Sequence, residues 1–279
     1  ASVSVGGIDL FHQIYRPMLF DAVRIPAPDR ADPAIESEML RTARQLFAVH
    51  GSTLAALIVE PLVQGAAGMR MHSPEYLRAL IGLARASGVL VIVDEVATGF
   101  GRTGTMFAME QVGLRPDIIC LAKGMSGGYL PLAATVTTER IYDAFRAPYT
   151  EHKTFFHGHT FTGNALGCAA ALASLHAFEQ DRLIETMPER ITALTTALTD
   201  LQGPGVAEIR QRGLMVGIAL KHDHPPEARY AHRVCMSARQ LGVIVRPLGD
   251  VVVIMPPIAM PSEQITEVVQ KVGQAIHGT

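Results

Sequence analysis

The sequence has few cysteines and no long apolar run. Its three cysteines, Cys120, Cys168 and Cys235, lie far apart and show no CxxC spacing. Such a set indicates neither a disulfide framework nor a zinc cluster, and it fits a reducing cytosol. The longest charge-free apolar stretch, Leu166 to Phe178, is shorter than the roughly 20 residues that a membrane-spanning helix needs. We therefore expect a cytoplasmic protein without a transmembrane segment or a signal peptide.

An excess of charge of one sign is also missing. The 24 basic and 26 acidic residues give a formal net charge of −2, which makes nucleic acid an improbable partner. Charged residues make up 18% and apolar residues 48%, an ordinary globular composition that argues against extensive disorder. The chain is long enough for about two domains. It begins at Ala1 without a methionine, in what reads as the middle of a folded segment, so we expect a fragment of a longer protein.

Alternating β-branched runs and helical patterns predict an α/β fold, in which helices wrap a mainly parallel sheet. Helices are predicted over 74–86, with Ser73 as the N-cap, and over 164–179. The predicted strands cover residues 55–59, 89–93, 118–121 and 133–136. This part, residues 1–180, is interpreted as a partial cofactor-binding large domain.

The pattern changes near Asp181 to that of a smaller α+β domain over residues 181–279. Its predicted helices cover 183–201, 229–240 and the segment from Ser262 onward. Its predicted strands cover 206–210, 214–220, 243–245 and 251–255.

Polar side chains follow three predicted strands of the large domain. Glu60 follows the first strand, Asp94 and Glu95 follow the second, and Lys123 follows the third. In open α/β sheets, ligands bind beyond the carboxyl ends of the strands, so these side chains are expected to meet in one crevice. Burying an aspartate and a lysine there is costly unless they are paired or hold a ligand. A structural salt bridge is the alternative interpretation of the same two residues.

Glycine-rich turns accompany these residues. Gly99 to Gly104 matches GxGxxG, but Asp94 and Glu95 stand between the strand and the first glycine and would repel a pyrophosphate, which argues against dinucleotide binding. A lysine facing an aspartate in a glycine-lined pocket suits covalent chemistry with an aldehyde, because desolvation lowers the pKa of the amine. Pyridoxal phosphate uses both groups, since an aspartate on its ring nitrogen keeps the ring electron-withdrawing.

At these motifs the sequence resembles the class III, fold type I, pyridoxal-phosphate aminotransferases. The resemblance is carried by Val93 to Val96 with the glycine turn, by Pro116 to Ile118 and by Lys123 to Gly128. Two further segments, Phe155 to Asn164 and Val245 to Gly249, are similar to the branch of this family that acts in biotin synthesis. The resemblance covers nearly the whole chain.

The resemblance implies a role for each candidate site residue. Lys123 would join the aldehyde of pyridoxal 5'-phosphate, Asp94 would pair with its ring nitrogen, and Val96 would pack on the ring face. Thr160 would reach across a homodimer interface to the phosphate of the cofactor in the other subunit. Arg246 would bind a substrate carboxylate, which suits a bidentate guanidinium.

The remaining expectations concern Glu60 and metals. Glu60 would form part of the cofactor pocket wall. No metal site is expected, because His157 and His159 lack a third ligand at suitable spacing. Small molecules and a second copy of the chain are therefore the expected partners.

Two departures from relatives that use amino acids bear on the amino donor. Ala97 stands where many of them have glutamine, and Val253 stands where many have an arginine before the Pro-Pro pair. Both disfavour 2-oxoglutarate and make adenosylmethionine or lysine more plausible. Another class III aminotransferase acting on an ω-amino acid or a diamine stays an alternative.

A non-catalytic truncated fragment is the last alternative. In the family, residues before the position of Ala1 supply the phosphate-binding helix N-terminus and the aromatic ring that stacks on the cofactor. We therefore expect this stretch by itself to have weak activity or none.

Overall fold

The computed structural model describes residues 2–8 and 12–279. Its α-helices, numbered along the chain, are α1 (Ser2–Val5), α2 (Pro33–His50), α3 (Pro74–Ala86), α4 (Met109–Val112), α5 (Glu139–Asp143), α6 (Ala165–Gln180), α7 (Met187–Asp200), α8 (Tyr230–Gln240) and α9 (Ser262–Gly278). Its strands are β1 (Ala56–Val59), β2 (Val63–Gln64), β3 (Arg70–Met71), β4 (Leu90–Asp94), β5 (Ile118–Leu121), β6 (Ala134–Thr137), β7 (Val206–Arg212), β8 (Met215–Leu220), β9 (Arg246–Leu248) and β10 (Val251–Ile254). Short 3-10 helices cover Gln13–Met18, Gly51–Thr53, Lys123–Ser126, Tyr149–Glu151 and Pro226–Ala228.

A four-stranded sheet with the order β1-β4-β5-β6 forms the centre of the large-domain region. Strands β1, β4 and β5 are parallel, and β6 pairs antiparallel with β5 at one edge. Ile92 in β4 has Ile58 of β1 on one side and Ile118 of β5 on the other. The predicted mainly parallel sheet is confirmed, with one antiparallel edge strand.

Helix α3 begins where its sequence predicts. The Ser73 hydroxyl accepts a hydrogen bond from the backbone N–H of Tyr76 at 3.0 Å, and Pro74 is the first helical residue. The backbone N–H and the hydroxyl of Ser73 both donate to the carboxylate of Glu36, each at 2.6 Å. Because Glu36 lies in α2, this serine both caps α3 and ties the two helices together.

The C-terminal region forms an antiparallel sheet in the order β7-β8-β10-β9, with α7, α8 and α9 packed against it. Its core is almost entirely aliphatic, as expected for one face of a sheet covered by helices. The buried side chains include Leu194, Leu214, Val216, Ile218, Val234, Val252, Ile265 and Val272.

Two predictions for this region are wrong. Residues 243–245 form no strand, because the backbone N–H of Val243 is bonded to the carbonyl of Ala238 at the end of α8. The strand that pairs with β10 is β9, which begins three residues after Val243.

The helix predicted from residue 183 begins only at Met187. Arg182 has a positive φ of 49°, and Pro188 stands in the first turn of α7, the position that proline favours.

The two regions share contacts. The guanidinium of Arg102 in the glycine turn donates to the carbonyl of Pro256, and the carbonyl of Arg102 accepts from Leu214 at 2.9 Å. Arg210 of β7 donates to the carbonyl of Gly68 at 2.8 Å. Arg102 therefore anchors the glycine turn to the C-terminal region, whereas the division of the chain at residue 181 stays a prediction.

No helix in the described ranges combines the length and the apolar character that crossing a membrane requires.

We predict that Ser73→Ala lowers the free energy of unfolding by about 2 kcal/mol, because it removes the α3 cap and one donor to the buried Glu36 carboxylate. Urea denaturation measures this loss. Ser262→Ala is the matched control, since Ser262 begins α9 without a side-chain cap and its change should stay within about 0.5 kcal/mol. Equal losses in the two variants would contradict the assignment.

Candidate active site

The three predicted polar residues meet at one edge of the parallel sheet. Glu60 directly follows β1, Asp94 is the last residue of β4, and Lys123 stands two residues after β5. These strands are neighbours and run in the same direction. The charges of Asp94 and Lys123 both influence the pKa of the Glu60 carboxyl, so the three groups interact electrostatically. Their placement at one sheet edge agrees with the expected strand order, and a shared crevice stays a prediction.

Asp94 is held in place by local backbone contacts. Its Oδ1 accepts from the backbone N–H of Val96 at 2.9 Å, and the residue lies opposite Cys120 in the register of β4 and β5. Burial, together with the charge of Asp94, raises the pKa of the Cys120 thiol. Within residues 2–8 and 12–279, no group donates a hydrogen bond to Asp94 Oδ2. One carboxylate oxygen is thus available to a ligand.

Lys123 opens a 3-10 helix and has a left-handed backbone, with φ of 46°. Such a φ is uncommon outside glycine and is found preferentially at functional sites. The next residue, Gly124, lies against Phe100, where an added Cβ would come within 2.8 Å of the phenylalanine Cβ. Glycine at 124 therefore allows a close approach of the turn that carries Lys123 to the Phe100 turn.

The Lys123 side chain is exposed, which corrects the expectation of a desolvated amine. Phe100 covers one side of its turn, but residues 127–130 on the other side are all exposed, two of them glycines without side chains. The amine forms no ion pair with any residue in the described part of the chain. The Lys123 amine is therefore available to a ligand, as is Asp94 Oδ2.

Glu60 carries an unusual carboxyl group. Its Oε1 accepts from the backbone N–H of Gly65 at 3.2 Å. Burial raises the pKa of Glu60 to about 7; the Gly65 hydrogen bond opposes this shift, the negative charge of Asp94 adds to it, and the positive charge of Lys123 opposes it. The carboxyl is consequently titratable near neutral pH.

A fully buried carboxyl, that of Glu95, supports the glycine turn. Its Oε2 accepts from the Thr98 hydroxyl at 2.6 Å, and its Oε1 accepts from the backbone N–H of Met109 at 2.9 Å. Burial raises its pKa above the usual value. The expectation that Glu95 joins Glu60, Asp94 and Lys123 in a ligand crevice is therefore corrected, because its carboxyl is fully buried and bonded within the protein. Its position next to Asp94, at the end of a buried strand, was the available signal for a structural role.

His72 is a second supporting residue that the sequence analysis missed. The buried ring accepts the backbone N–H of Leu62 at its Nε2, at 3.0 Å, and the backbone N–H of His72 donates to the Leu62 carbonyl at 3.1 Å. Leu62 has a left-handed φ of 64° and stands two residues after Glu60. His72 therefore fixes the turn through which the chain leaves the Glu60 position. No spacing in the sequence pointed to this contact.

Arg246 lies on β9, in the hairpin with β10, and its side chain is exposed. The hairpin tip is fixed at Asp250, whose carbonyl accepts from Leu220 at 3.0 Å and whose carboxylate pairs with His222 at 3.3 Å. Leu248 and Val251 of the hairpin pack against the large-domain core. Arg246 forms no ion pair within the described residues, so its role as a carboxylate ligand stays a prediction.

Thr160 lies in an exposed turn before α6. The hydrogen bonds of this turn are local: the backbone N–H of His159 donates to the Thr162 hydroxyl at 2.9 Å, and the Asn164 side chain caps α6 at Gly167. The predicted contact of Thr160 with the cofactor of a partner subunit stays a prediction. The predicted packing of Val96 on the cofactor ring stays one as well.

The groups at the strand ends fit pyridoxal phosphate. Asp94 Oδ2 offers an acceptor for a protonated ring nitrogen, and Lys123 offers a primary amine for the aldehyde. The close approach of Gly124 to Phe100 shows that the backbone around the amine is tightly constrained on one side.

A family model described as Aminotransferase class-III matches residues 1–276. The chain belongs to the class III aminotransferases. Curated relatives include the adenosylmethionine-8-amino-7-oxononanoate aminotransferases of Nitratidesulfovibrio vulgaris, 51% identical over 289 residues, and Anoxybacillus flavithermus, 46% identical over 288 residues. Each alignment covers 99% of this chain, and it covers 53% and 63% of the respective relative. The chain thus spans between about half and two thirds of their length.

Solved structures agree with this membership. The crystal structure of the adenosylmethionine-8-amino-7-oxononanoate aminotransferase from Methanocaldococcus jannaschii matches all of this chain and 65% of its own, with 37% identity and a TM-score of 0.93. An (S)-enantioselective omega-transaminase from Thermomicrobium roseum matches 89% of this chain and 56% of its own, with 33% identity and a TM-score of 0.81. The class III aminotransferase fold is therefore confirmed.

The buried His72 predicts a specific acid sensitivity. Burial, together with the charge of Arg212, lowers the pKa of His72 to about 4. The unfolded chain binds a proton at about pH 6.5 and the folded chain does not, so His72 should remove about 3 kcal/mol of stability as pH falls from 6.5 to 4. His72→Gln, which cannot titrate, should lose less stability over this range in urea denaturation. The exposed His277→Gln is the control and should follow the wild type. If His72→Gln also followed the wild type, the ring would not be a neutral acceptor.

Proposed function

We propose that the protein transfers an amino group to 8-amino-7-oxononanoate, giving 7,8-diaminononanoate for biotin synthesis, with adenosylmethionine or lysine as the amino donor and pyridoxal phosphate as cofactor. One observation carries the chemistry: Asp94 ends β4 and Lys123 stands two residues after the parallel strand β5, and in the described part of the chain the amine has no ion pair and one Asp94 oxygen has no hydrogen-bond donor. The names of the relatives at 51% and 46% identity supply the substrate.

Each site residue has a defined role in this reaction. When bound, pyridoxal phosphate supplies an electron-withdrawing ring that stabilises negative charge on the carbon being deprotonated. Asp94 Oδ2 accepts the ring N–H and keeps that proton in place, while Val96 supports the ring face. Lys123 Nζ would hold the cofactor at its aldehyde carbon and, when an incoming amine has replaced it there, would accept the proton of the donor carbon as a free amine. Arg246 orients the substrate through its carboxylate with two parallel hydrogen bonds.

Transamination with a different amine is the second candidate. It is favoured by the match to an omega-transaminase at 33% identity. Assays with adenosylmethionine, lysine and alanine against the same ketone separate the two candidates. Ala97 and Val253 leave no glutamine or arginine at the positions where amino-acid-using relatives have them, which supports a donor other than glutamate.

A homodimer is part of the proposal. Large apolar side chains are exposed in the segment from residue 129 to residue 175, and exposed apolar surface of this extent is typical of a protein–protein interface. They are Tyr129, Leu130, Val136, Tyr142, Phe145, Tyr149, Phe155, Phe156, Phe161, Leu166, Leu172 and Leu175, named together the apolar face. Thr160 lies within this face, which supports its role at the cofactor of a second subunit.

A cytoplasmic location completes the proposal. Cys120, Cys168 and Cys235 are all free thiols. Free thiols persist where the compartment is reducing.

We predict that Lys123→Ala, made in a chain as long as the relatives, abolishes covalent attachment of pyridoxal phosphate and reduces turnover to background, because no other residue of the site offers a primary amine. Borohydride reduction followed by intact-mass measurement detects the attachment. Lys153→Ala is the control, since Lys153 forms only an exposed ion pair with Glu151 at 2.8 Å. Survival of attachment or turnover in Lys123→Ala would refute the proposed function.

We predict that charging the apolar face separates the subunits. The double variant Phe156→Asp/Leu172→Glu places two charges on side chains that are 77% and 68% exposed, so folding of each chain should be retained while the dimer dissociates. Light scattering measures the mass. Ile244→Asp, at a residue 80% exposed outside the face, should remain dimeric. A double variant that also remained dimeric would exclude this interface.

A further inference from the structure

The turn that carries Lys123 has a backbone that its surroundings must hold. Lys123 has a left-handed φ of 46°, and Gly127, at the end of the same 3-10 helix, has a φ of 60°. A residue other than glycine adopts this conformation at a cost and keeps it only where neighbouring groups enforce it. Because the Lys123 side chain is exposed, the support has to come from residues packed around its backbone.

Phe100 supports one side of this turn. A Cβ added at Gly124 would come within 2.8 Å of the Phe100 Cβ, so the two backbones are in direct contact. The buried Phe100 ring lies 5.6 Å from the ring of Phe107 and 6.3 Å from the ring of Phe178, measured between centroids. Aromatic packing therefore fixes Phe100, which can yield little to the turn.

Ser174 of α6 supports the same turn through a hydrogen bond. Its hydroxyl donates to the carbonyl of Gly124 at 3.2 Å. The same carbonyl accepts from the backbone N–H of Gly127 at 3.0 Å. A Cβ added at Gly127 would come within 3.5 Å of the Ser174 hydroxyl oxygen, so this serine lies directly beside the end of the turn. Two donors thus fix the carbonyl of the residue that follows Lys123.

Helix α6 is held in place by the core. Ala171, Ser174 and Phe178 are spaced i, i+3 and i+7, so they share one face of the helix. Ala171 and Phe178 are buried in the same apolar cluster as Met125, which lies in the turn two residues after Lys123. The Ser174 hydroxyl is therefore presented to the turn by a packed helix.

We propose that Ser174 is a positioning residue for Lys123, which acts by fixing the Gly124 carbonyl while Phe100 supports the opposite side. A lysine side chain is long and flexible, so the region that its amine reaches depends on how firmly its backbone is held. Misplacing a reacting group by about 1 Å can slow a reaction strongly. In this role Ser174 acts through the backbone of the turn. The inference rests on the proposed function, because it concerns the amine that this function uses.

Ser174→Ala tests the inference in a chain as long as the relatives. Alanine removes the hydroxyl and favours a helix, so α6 should form unchanged. The rate at which pyridoxal phosphate attaches to Lys123, followed by borohydride trapping and intact mass, should fall about fivefold, as expected for one lost hydrogen bond. Binding of pyridoxamine phosphate, which has no aldehyde to join to Lys123, should be unchanged. A merely structural role would weaken the binding of both molecules.

Two further variants control this measurement. Ser174→Thr keeps the hydroxyl and should attach pyridoxal phosphate at a rate close to that of the wild type. Ser237→Ala removes a half-buried serine hydroxyl from α8, where it is bonded to the Thr279 hydroxyl at 2.8 Å, and should leave the rate unchanged. A loss in Ser174→Thr or Ser237→Ala as large as that in Ser174→Ala would overturn the inference.

Hydrogen exchange provides a readout without cofactor. The Gly127 amide is bonded to the carbonyl that Ser174 also holds, so it should exchange about fivefold faster in Ser174→Ala. The Gly113 amide, which is bonded at the end of α4, is the internal control and should exchange equally in both chains. Equal exchange at Gly127 would also overturn the inference.

Attachment in the wild type separates this inference from the proposed function. Equal attachment rates in the wild type and Ser174→Ala would reject the role of Ser174 and leave the proposed function intact. A wild type that attaches no pyridoxal phosphate would reject the proposed function and, with it, the role of Ser174 at Lys123.

Discussion

The parallel pairing of β1, β4 and β5 is the constraint from which the candidate site follows. Parallel strands end on the same side of a sheet, so the residues just beyond them meet although they are far apart in sequence. Here the three positions carry Glu60, Asp94 and Lys123. An amine and two carboxyls are brought together by backbone hydrogen bonding, before any side chain contributes to the arrangement.

Buried polar groups hold this arrangement in place. Burying them costs free energy, and their hydrogen bonds offset this cost. Glu95 is fully buried, and its carboxyl oxygens are bonded to Thr98 and to the backbone at Met109. His72 satisfies the buried amide of Leu62, a residue with a left-handed backbone. Because a buried polar group without a partner is costly, losing one such bond affects the turns that carry the reactive groups as well as the stability.

Local signals predicted much of the fold. Ser73 and Pro74 set the start of α3, and the apolar runs set the strands to within one or two residues. The two errors in the C-terminal region occurred at helix ends, namely at the start of α7 and just after α8. Residues 243–245 have strand-forming side chains, but the Val243 amide is used by the end of α8, so β10 pairs with Arg246–Leu248 instead. Similarly, nothing in the spacing of Leu62 and His72 indicated their bond.

The sequence by itself determined the family, because the motifs around Asp94 and Lys123 are those of class III aminotransferases, whereas residue type and order alone left a structural salt bridge open. Only the tertiary structure decided the state of each group: the exposure of Lys123, the free oxygen of Asp94, and the burial that raises the pKa of Glu60 to about 7. Solvation and hydrogen bonding depend on which distant residues surround a group. That information is set by the packing of whole elements and is absent from any local pattern.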